Sequence, residues 1–131
     1  QGRLNIIDKP LTTYEVGKIN ENISSQYLTR QGLRYITQNF HSRLGEIDLI
    51  MQEQDTLVFI EVKYRTNTNF GGAISAISSK KIEKIHKTAK YYLQQHGLNA
   101  YNTPCRFDVV ALQGNKDNHS MPLITWLKNA F

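Results

Sequence analysis

Apolar residues recur at steps of three and four between Thr13 and Gln31, a spacing that predicts one helix with a single apolar face. The apolar positions of that face are Val16, Ile19, Ile23 and Tyr27. Thr12 and Glu15 have the spacing of a capping box, in which each side chain bonds a free backbone N–H. Gly32 is a natural stop for the helix, because glycine readily adopts the left-handed conformation found at helix ends.

After Gly32 the pattern becomes that of β-strands, with short runs of β-branched, aromatic and other apolar residues. The predicted strands are Arg34–Phe40, Gly45–Gln52 and Thr56–Tyr64. The polar stretch of residues 53–55 separates the last two strands, so they should form a hairpin. A polar, glycine-containing loop is expected at Thr66–Gly72.

A second helix is predicted from Lys80 to His96, with Ser79 as its N-cap and Gly97 just past its end. Two further strands follow, at Arg106–Leu112 and Leu123–Leu127, joined by the turn-prone segment Gly114–Ser120. The order α-β-β-β-α-β-β predicts an α/β fold in which a mixed central sheet is flanked by helices.

The register of the predicted hairpin brings acidic and basic residues together. If the turn is centred on residues 54 and 55, Asp48 lies opposite Glu61, and Glu46 lies opposite Lys63. All four share one face, because side chains alternate along a strand. The other face should be continuously apolar. Its predicted members are Ile47, Leu49, Met51, Val58, Ile60 and Val62.

Two carboxylates directly opposite one another destabilise a sheet unless a cation neutralises them. In one interpretation Lys63 alone does so, as part of an ordinary cross-strand ion-pair cluster. In the other, Asp48 and Glu61 bind Mg²⁺ or Mn²⁺, since hard divalent cations prefer carboxylate oxygens and also take phosphate oxygens of a substrate. Lys63 would then orient the attacking water or stabilise developing negative charge. Spacing alone leaves both interpretations open.

The second helix separates into an apolar stripe and a basic side. The lysines of that basic side are Lys80, Lys84 and Lys87. They are either a solvated face or non-specific contacts to nucleic-acid phosphates. Lys81 lies at the border of the apolar stripe and could reach a site on the sheet.

Glu21 lies at the margin of the first helix's apolar face, where it points either to solvent or to the same cluster. Arg106 and Asp108 share a strand face and should form a structural ion pair.

The bulk composition suits one globular domain spanning residues 1–131, with residues 1–11 expected as a flexible segment: the chain has 131 residues, of which 40% are hydrophobic. Cys105 is the single cysteine and cannot form an internal disulfide. With no signal-peptide pattern and no apolar run of membrane-spanning length, a cytoplasmic location and no membrane association are expected. The net charge of +5 permits a nucleic-acid partner without requiring one.

Two strings of residues resemble the D…E-x-K signature of restriction-endonuclease-like nucleases, also written PD-(D/E)XK. They are Gly45-Glu46-Ile47-Asp48-Leu49-Ile50 and Phe59-Ile60-Glu61-Val62-Lys63-Tyr64-Arg65. Five further groups extend the match over about Gly17 to Phe131, and with them the chain resembles the bacterial YraN family. These groups are Gly17…Glu21…Leu28…Gly32, Gln38-Asn39-Phe40, Lys81…Ile85…Ala89, Arg106-Phe107-Asp108-Val109-Val110 and Trp126…Ala130-Phe131.

The resemblance implies a restriction-endonuclease-like core, similar to archaeal Holliday-junction resolvases, in a cytoplasmic bacterial protein. Carried over by position, Asp48 and Glu61 are metal ligands and Lys63 is the catalytic lysine. Glu21 and Lys81 match further residues of such sites. Two departures from the family pattern, Asn20 for a common Gly and Ser24 for a common Ala, concern helix packing and not chemistry.

The leading hypothesis is a Mg²⁺- or Mn²⁺-dependent DNA endonuclease, with branched DNA such as Holliday junctions among its substrates. Asp48, Glu61 and the Val62 carbonyl would hold the metal, and Glu46 and Arg65 are further candidates for the site. A homodimer would suit a two-fold DNA junction. The alternatives are a non-catalytic nucleic-acid-binding module on a nuclease fold, and an assembly component whose charged cluster is purely structural.

Overall fold

The computed structural model describes residues 10–66, 77–114 and 121–131, which form two helices and five strands. The helices are α1 (Thr13–Arg30) and α2 (Ser79–Gln95), and the strands are β1 (Arg34–Ser42), β2 (Gly45–Glu53), β3 (Thr56–Arg65), β4 (Cys105–Gln113) and β5 (Leu123–Leu127). The predicted order α-β-β-β-α-β-β is confirmed. Most of the expected flexible segment 1–11, loop 66–72 and turn 114–120 lies outside the described residues.

Side-chain caps determine where both helices begin. Glu15 N–H donates to Thr12 Oγ1 at 3.1 Å and Thr12 N–H donates to Glu15 Oε1 at 2.9 Å, which confirms the capping box. The prediction that Ser79 caps α2 is wrong by one residue. Ser78 is the N-cap, because its Oγ accepts from Lys81 N–H at 3.1 Å while Ser79 is already helical. Neither helix is long and apolar enough to cross a bilayer.

The five strands form one mixed sheet in the order β1-β2-β3-β4-β5. Neighbouring strands run antiparallel except β3 and β4, which are parallel. A parallel pair needs a crossover connection, and α2 supplies it. Because α2 belongs to the connection out of β3, the fold brings the start of this helix close to the acidic residues of the sheet.

Each helix covers a separate apolar core. Leu28 of α1 and the following Leu33 pack on the first, whose strand residues are Leu49, Met51, Val58, Ile60, Val110 and Leu112. On the second core, Ile47, Ile50, Leu57 and Phe59 pack against α2 residues Ile85, Ala89, Tyr92 and Leu93. Burying such side chains contributes about 1.5–3 kcal/mol each, so the two cores account for much of the folding free energy.

The prediction that Ile47 shares a face with Leu49 and Met51 is wrong. Ile47 packs in the α2 core, whereas Leu49 and Met51 pack in the α1 core. The expected alternation of side chains is therefore interrupted in β2 between residues 47 and 49. Asp48 lies at that interruption.

A buried carboxylate ties the end of the chain to β4. Asp108 is fully buried and accepts hydrogen bonds from Arg106 Nε at 3.0 Å, Trp126 Nε1 at 2.9 Å and Asn129 N–H at 2.8 Å. Arg106 Nη1 also contacts Glu53 Oε1 at 2.6 Å. The predicted ion pair between Arg106 and Asp108 is confirmed, and it belongs to a network that joins β2, β4 and β5.

Replacing Asp108 should therefore destabilise the whole fold. We expect Asp108→Ala to lower the free energy of unfolding by about 3–5 kcal/mol, because the partly buried Arg106 loses one of its two carboxylate partners and the Trp126 indole N–H loses its acceptor. Urea unfolding followed by circular dichroism measures this change. Asp55→Ala, at an exposed turn position, is the matched control and should stay within about 0.5 kcal/mol of the parent. Equal stability of the two variants would contradict the role given to Asp108.

Candidate functional site

The acidic pair lies just past the end of the regular β2–β3 ladder. Pairing runs from Glu53–Thr56 to Leu49–Ile60, as the predicted register requires. At the next step, Val62 N–H donates to Asp48 Oδ2 at 2.8 Å. A side-chain carboxylate, and not a main-chain carbonyl, therefore accepts this hydrogen bond. The interaction fixes the Asp48 side chain against β3 and beside Glu61.

Two lysines converge on Glu61, which is only 4% exposed. Lys81 Nζ lies 2.7 Å from Glu61 Oε2, and Lys63 Nζ lies 3.6 Å from the same oxygen. Lys63 follows Glu61 by two residues on β3, so both point to one face. Lys81 comes from the first turn of α2 and supplies the closer contact. The interpretation that Lys63 alone neutralises the cluster is therefore incomplete.

A cleft of about 310 Å³ opens over these residues, with one wall formed by α1. Gly17 belongs to that wall, and a side chain there would have open space, since nothing lies within 4 Å of where its Cβ would be. Glu21 comes from the same wall. The described lining residues are Thr13, Val16, Gly17, Asn20, Glu21, Asp48, Glu61, Val62, Lys63, Tyr64 and Lys81. The cleft thus gathers six candidate site residues of the sequence analysis, namely Glu21, Asp48, Glu61, Val62, Lys63 and Lys81.

Two other candidates lie elsewhere. Glu46 is not opposite Lys63, because the β2–β3 ladder ends at Leu49–Ile60. Glu46 instead pairs with His41 across β1, with Glu46 Oε2 3.2 Å from His41 Nδ1. Arg65 ends β3 and pairs with Gln113 of β4. Neither is among the described residues that line the cleft.

The basic residues of α2 fall into two groups. Lys80, Lys84 and Lys87 are all exposed, as a basic surface requires. Lys80 and Lys84 line a second cleft beside the first, and Lys87 lines neither. Lys81 is half-buried and belongs to both clefts.

Three acidic and two basic side chains are among the described residues that line the first cleft. Burial raises the pKa of Asp48 to about 8, the charge of Glu61 adds to the rise, and the Val62 N–H opposes it. Burial also raises the pKa of Glu21, with smaller contributions from Glu46 and Glu61. Burial opposes the charge of Lys81, but the hydrogen bond and charge of Glu61 outweigh it, so the pKa of this lysine is raised. Burial, the largest cause, and the charge of Glu61 together favour the protonated form of Asp48 near neutral pH.

This donor set fits a hard divalent cation. Among the described residues, no three or more His, Cys, Asp or Glu side chains are arranged to hold a metal ion. Mg²⁺ does not need such a group, because it usually binds through one or two carboxylates and completes its octahedron with water and substrate phosphates. Asp48 and Glu61 meet that requirement. Burial is the largest cause of the raised pKa of Asp48, and a bound cation would oppose that rise by favouring the ionised carboxylate.

Asn39 is a neighbour of the site that neither spacing nor periodicity could place. It lies in β1 between the pairs Gln38–Leu49 and Phe40–Ile47, and so opposite Asp48. Its φ of 55° is left-handed, a conformation that Asn tolerates better than most residues. Within the described residues, Asn39 Nδ2 and Glu21 Oε1 are both buried without a hydrogen-bond partner. Even so, the Asn39 amide lies close enough to lower the pKa of Glu21.

The raised pKa of Asp48 makes stability depend on pH. The folded state binds more protons than the unfolded state between the ordinary carboxyl pKa of 3.8 and the folded value of about 8, so stability falls as pH rises through this window. Asp48→Asn cannot titrate. We expect the free energy of unfolding of this variant, relative to that of the parent, to rise by at least about 1 kcal/mol between pH 5 and pH 8. Urea unfolding in EDTA measures this difference. Glu83→Gln, an exposed control on α2, should show no such gain, and a flat difference for Asp48→Asn would contradict the assignment.

The proximity of Asn39 to Glu21 can be tested by titration. We expect Asn39→Gly to raise the pKa of Glu21 further, because it removes the amide while keeping a residue suited to positive φ. Carbon-detected NMR of the Glu21 carboxyl measures this pKa directly. Asn129→Gly is a matched control, since Asn129 also has a left-handed φ of 52° but lies outside the cleft. An unchanged pKa in the Asn39 variant would rule out the interaction.

Comparisons with known proteins establish the family. Over 123 residues the chain is 55% identical to a UPF0102 protein of Colwellia psychrerythraea, covering 94% of this chain and 93% of the relative. It is 47% identical over 115 residues to a UPF0102 protein of Shewanella denitrificans, covering 88% and 97%. A relative from Legionella pneumophila is 45% identical over 119 residues, covering 91% and 96%.

The solved structure of Pyrococcus furiosus SfsA in complex with Ca²⁺ shows a weak likeness, with a TM-score of 0.32 and 14% identity over 86% of this chain and 62% of SfsA. A likeness at this level carries no inference about the site. The profile of the uncharacterised protein family UPF0102 matches residues 20–112, well over half of the chain. The predicted YraN resemblance is thereby confirmed: this chain belongs to the UPF0102 family, the bacterial YraN family with its restriction-endonuclease-like fold.

Proposed function

We propose that this protein is a metal-dependent nuclease that hydrolyses phosphodiester bonds in DNA, branched DNA included. The observation that carries the proposal is the meeting of Asp48 and Glu61 in one cleft. Burial and the charge of Glu61 raise the pKa of Asp48 to about 8 and so favour a proton on Asp48 near neutral pH. Family membership assigns no reaction, so the chemistry is inferred from the residues themselves. A divalent cation would replace that proton and balance the charge of the cleft.

The residues that would hold Mg²⁺ or Mn²⁺ are Asp48, Glu61 and the main-chain carbonyl of Val62. When bound, such an ion supplies Lewis acidity toward a phosphoryl oxygen and lowers the pKa of water. Asp48 is already oriented by the Val62 N–H at 2.8 Å, and Glu61 by Lys81 at 2.7 Å. Both carboxylates are thus positioned by the fold before any ligand arrives, which reduces the cost of binding.

Lys63 is the best placed group to assist the chemistry. Its side chain is 19% exposed, and its Nζ is 3.6 Å from Glu61, close enough for attraction but longer than a good charge-assisted hydrogen bond. The ammonium can therefore turn toward a phosphate to orient water or stabilise developing negative charge. Lys81 binds Glu61 more tightly and acts mainly by positioning it. Glu21 faces the cleft from α1 and could accept a proton from water.

A second candidate function is a non-catalytic nucleic-acid-binding module on the same fold. The observation in its favour is that Glu61 already has two lysine partners, so the cluster keeps much of its charge balance without a metal. In that case binding should survive loss of Asp48, and the basic residues of α2 would carry the interaction. The two functions therefore differ in whether they require the carboxylates.

Cleavage assays separate these functions. We expect the purified protein with Mg²⁺ or Mn²⁺ to cut at least one member of a panel of linear duplex, single-stranded, flap and four-way-junction DNA. Asp48→Ala, Glu61→Ala and Lys63→Ala should each lose at least about 10²-fold in rate, as expected for removal of a group that acts on the transition state. Glu83→Ala, an exposed acidic residue on α2, is the matched control and should keep its rate.

Metal binding gives a readout independent of turnover. Electron paramagnetic resonance titration should show Mn²⁺ binding that strengthens from pH 6 to pH 8.5, because the carboxylates must be deprotonated to act as ligands. Asp48→Asn should weaken it. Absence of metal-dependent cleavage across the panel would sink the catalytic proposal, and cleavage that persists in the Asp48 variant would reveal a contaminating nuclease.

A further inference from the structure

A second cleft of about 360 Å³ lies beside the first, between the β1–β2 turn and the start of α2. Lys81 lines both clefts, so they adjoin at this residue. The described lining residues of the second cleft are Gly45, Glu46, Ser78, Lys80, Lys81, Lys84 and Ile85. We call it the basic cleft, because three lysines face one glutamate.

The shape of the basic cleft depends on a close backbone approach. A Cβ on Gly45 would lie 2.9 Å from Thr88 Oγ1 and 3.4 Å from Lys84 Cβ, and the φ of Gly45 is 152°. Only glycine lets the turn rest this closely on α2 without displacing the helix. The start of β2 and the first turns of α2 therefore hold the cleft walls at a short separation.

Two of the three lysines are available to a ligand. Lys81 Nζ is held by Glu61 at 2.7 Å, whereas Lys80 and Lys84 form no salt bridge within the described part of the chain. The opposing charge of Glu46 is partly engaged, because its Oε2 contacts His41 Nδ1 at 3.2 Å. Ser78 Oγ already accepts the N–H of Lys81, so the lysine side chains, more than the helix end, supply the positive potential.

We propose that the basic cleft binds a backbone phosphate of the same nucleic-acid strand whose neighbouring phosphodiester lies in the first cleft. The inference rests on the proposed function for its orientation: the strand passes over Lys81, from the carboxylates toward Gly45. Lys80 and Lys84 contact the phosphate. Lys87 lies outside the cleft, and Glu46 weakens binding by repulsion.

Charge at each of these positions has a defined expected effect. Binding of a fluorescein-labelled single-stranded DNA oligonucleotide is measured by anisotropy in EDTA, where no metal-dependent cleavage occurs. Lys80→Gln and Lys84→Gln should each weaken binding about threefold to tenfold and reduce the salt dependence, by roughly 0.7 in log–log slope for each lysine that no longer neutralises a phosphate. Glu46→Gln should strengthen binding. Lys90→Gln removes the same charge from α2 at an exposed position outside the cleft and should have little effect.

The outcomes separate this inference from the catalytic one. No binding by the parent protein, or equal effects of Lys84→Gln and Lys90→Gln, would overturn the basic cleft as a phosphate site. DNA binding that depends on Lys80 and Lys84, without any cleavage, would support the phosphate site and contradict the nuclease proposal. Metal-dependent cleavage by a protein whose DNA binding is unchanged in the Lys80 and Lys84 variants would support the nuclease proposal and overturn the phosphate site. Near-identical circular dichroism spectra and unfolding midpoints show that the variants remain folded.

Discussion

The ion pair between Lys81 and Glu61 is the interaction on which the arrangement of the site depends. It joins the first turn of α2 to the centre of β3 through atoms 2.7 Å apart, with Glu61 almost fully buried. Breaking this ion pair would leave Glu61, on the central strand of the sheet, with only the more distant Lys63 at 3.6 Å as a described cationic partner. A buried carboxylate that loses its close cation is strongly destabilised. The same ion pair fixes Lys81, the residue that lines both clefts. The shape of each cleft therefore depends on the position of α2 on the sheet.

Apolar packing, and not the ion pair, sets the position of α2 on the sheet. Ile85, Ala89, Tyr92 and Leu93 anchor α2 on one face of the sheet, while α1 packs on the other. Asp48 and Glu61 line the first cleft, and Asp48 interrupts the alternation between Ile47 and Leu49. The regular pairing of β2 with β3 therefore ends before Asp48, and the Asp48 carboxylate accepts the main-chain N–H of Val62 instead. Local departures of this kind are common at functional sites and are compensated by stability elsewhere.

Much of this site could be predicted because strand pairing obeys simple geometry. A tight turn after Glu53 determines the register as far as Leu49–Ile60, and one more step brings Asp48 beside Glu61. The same rule wrongly placed Glu46 opposite Lys63, because it assumes that the β2–β3 ladder stays regular. The rule cannot show where a side-chain hydrogen bond replaces the main-chain pairing. It failed for Ile47 for the same reason.

Residues that reach the site from other elements were harder to place. Spacing showed only that Glu21 and Lys81 lie at the margins of their helices, and the family resemblance supplied their direction. The path of each helix over the sheet depends on tertiary packing, which no local pattern specifies. Asn39 could not be connected to Glu21 at all, because its left-handed backbone and its position opposite Asp48 follow from an irregular β1 strand.

The charges of the two clefts are complementary to different parts of one ligand pair. The first cleft holds three carboxyl groups and two lysines, whereas the basic cleft holds Lys80 and Lys84, which form no salt bridge among the described residues. A cation alone would satisfy the first, and a phosphate alone would satisfy the second. A phosphodiester strand entering without a cation would bring further negative charge next to Asp48 and Glu61. Metal and nucleic acid should therefore each strengthen the binding of the other by the same factor, since coupling between two binding equilibria is reciprocal.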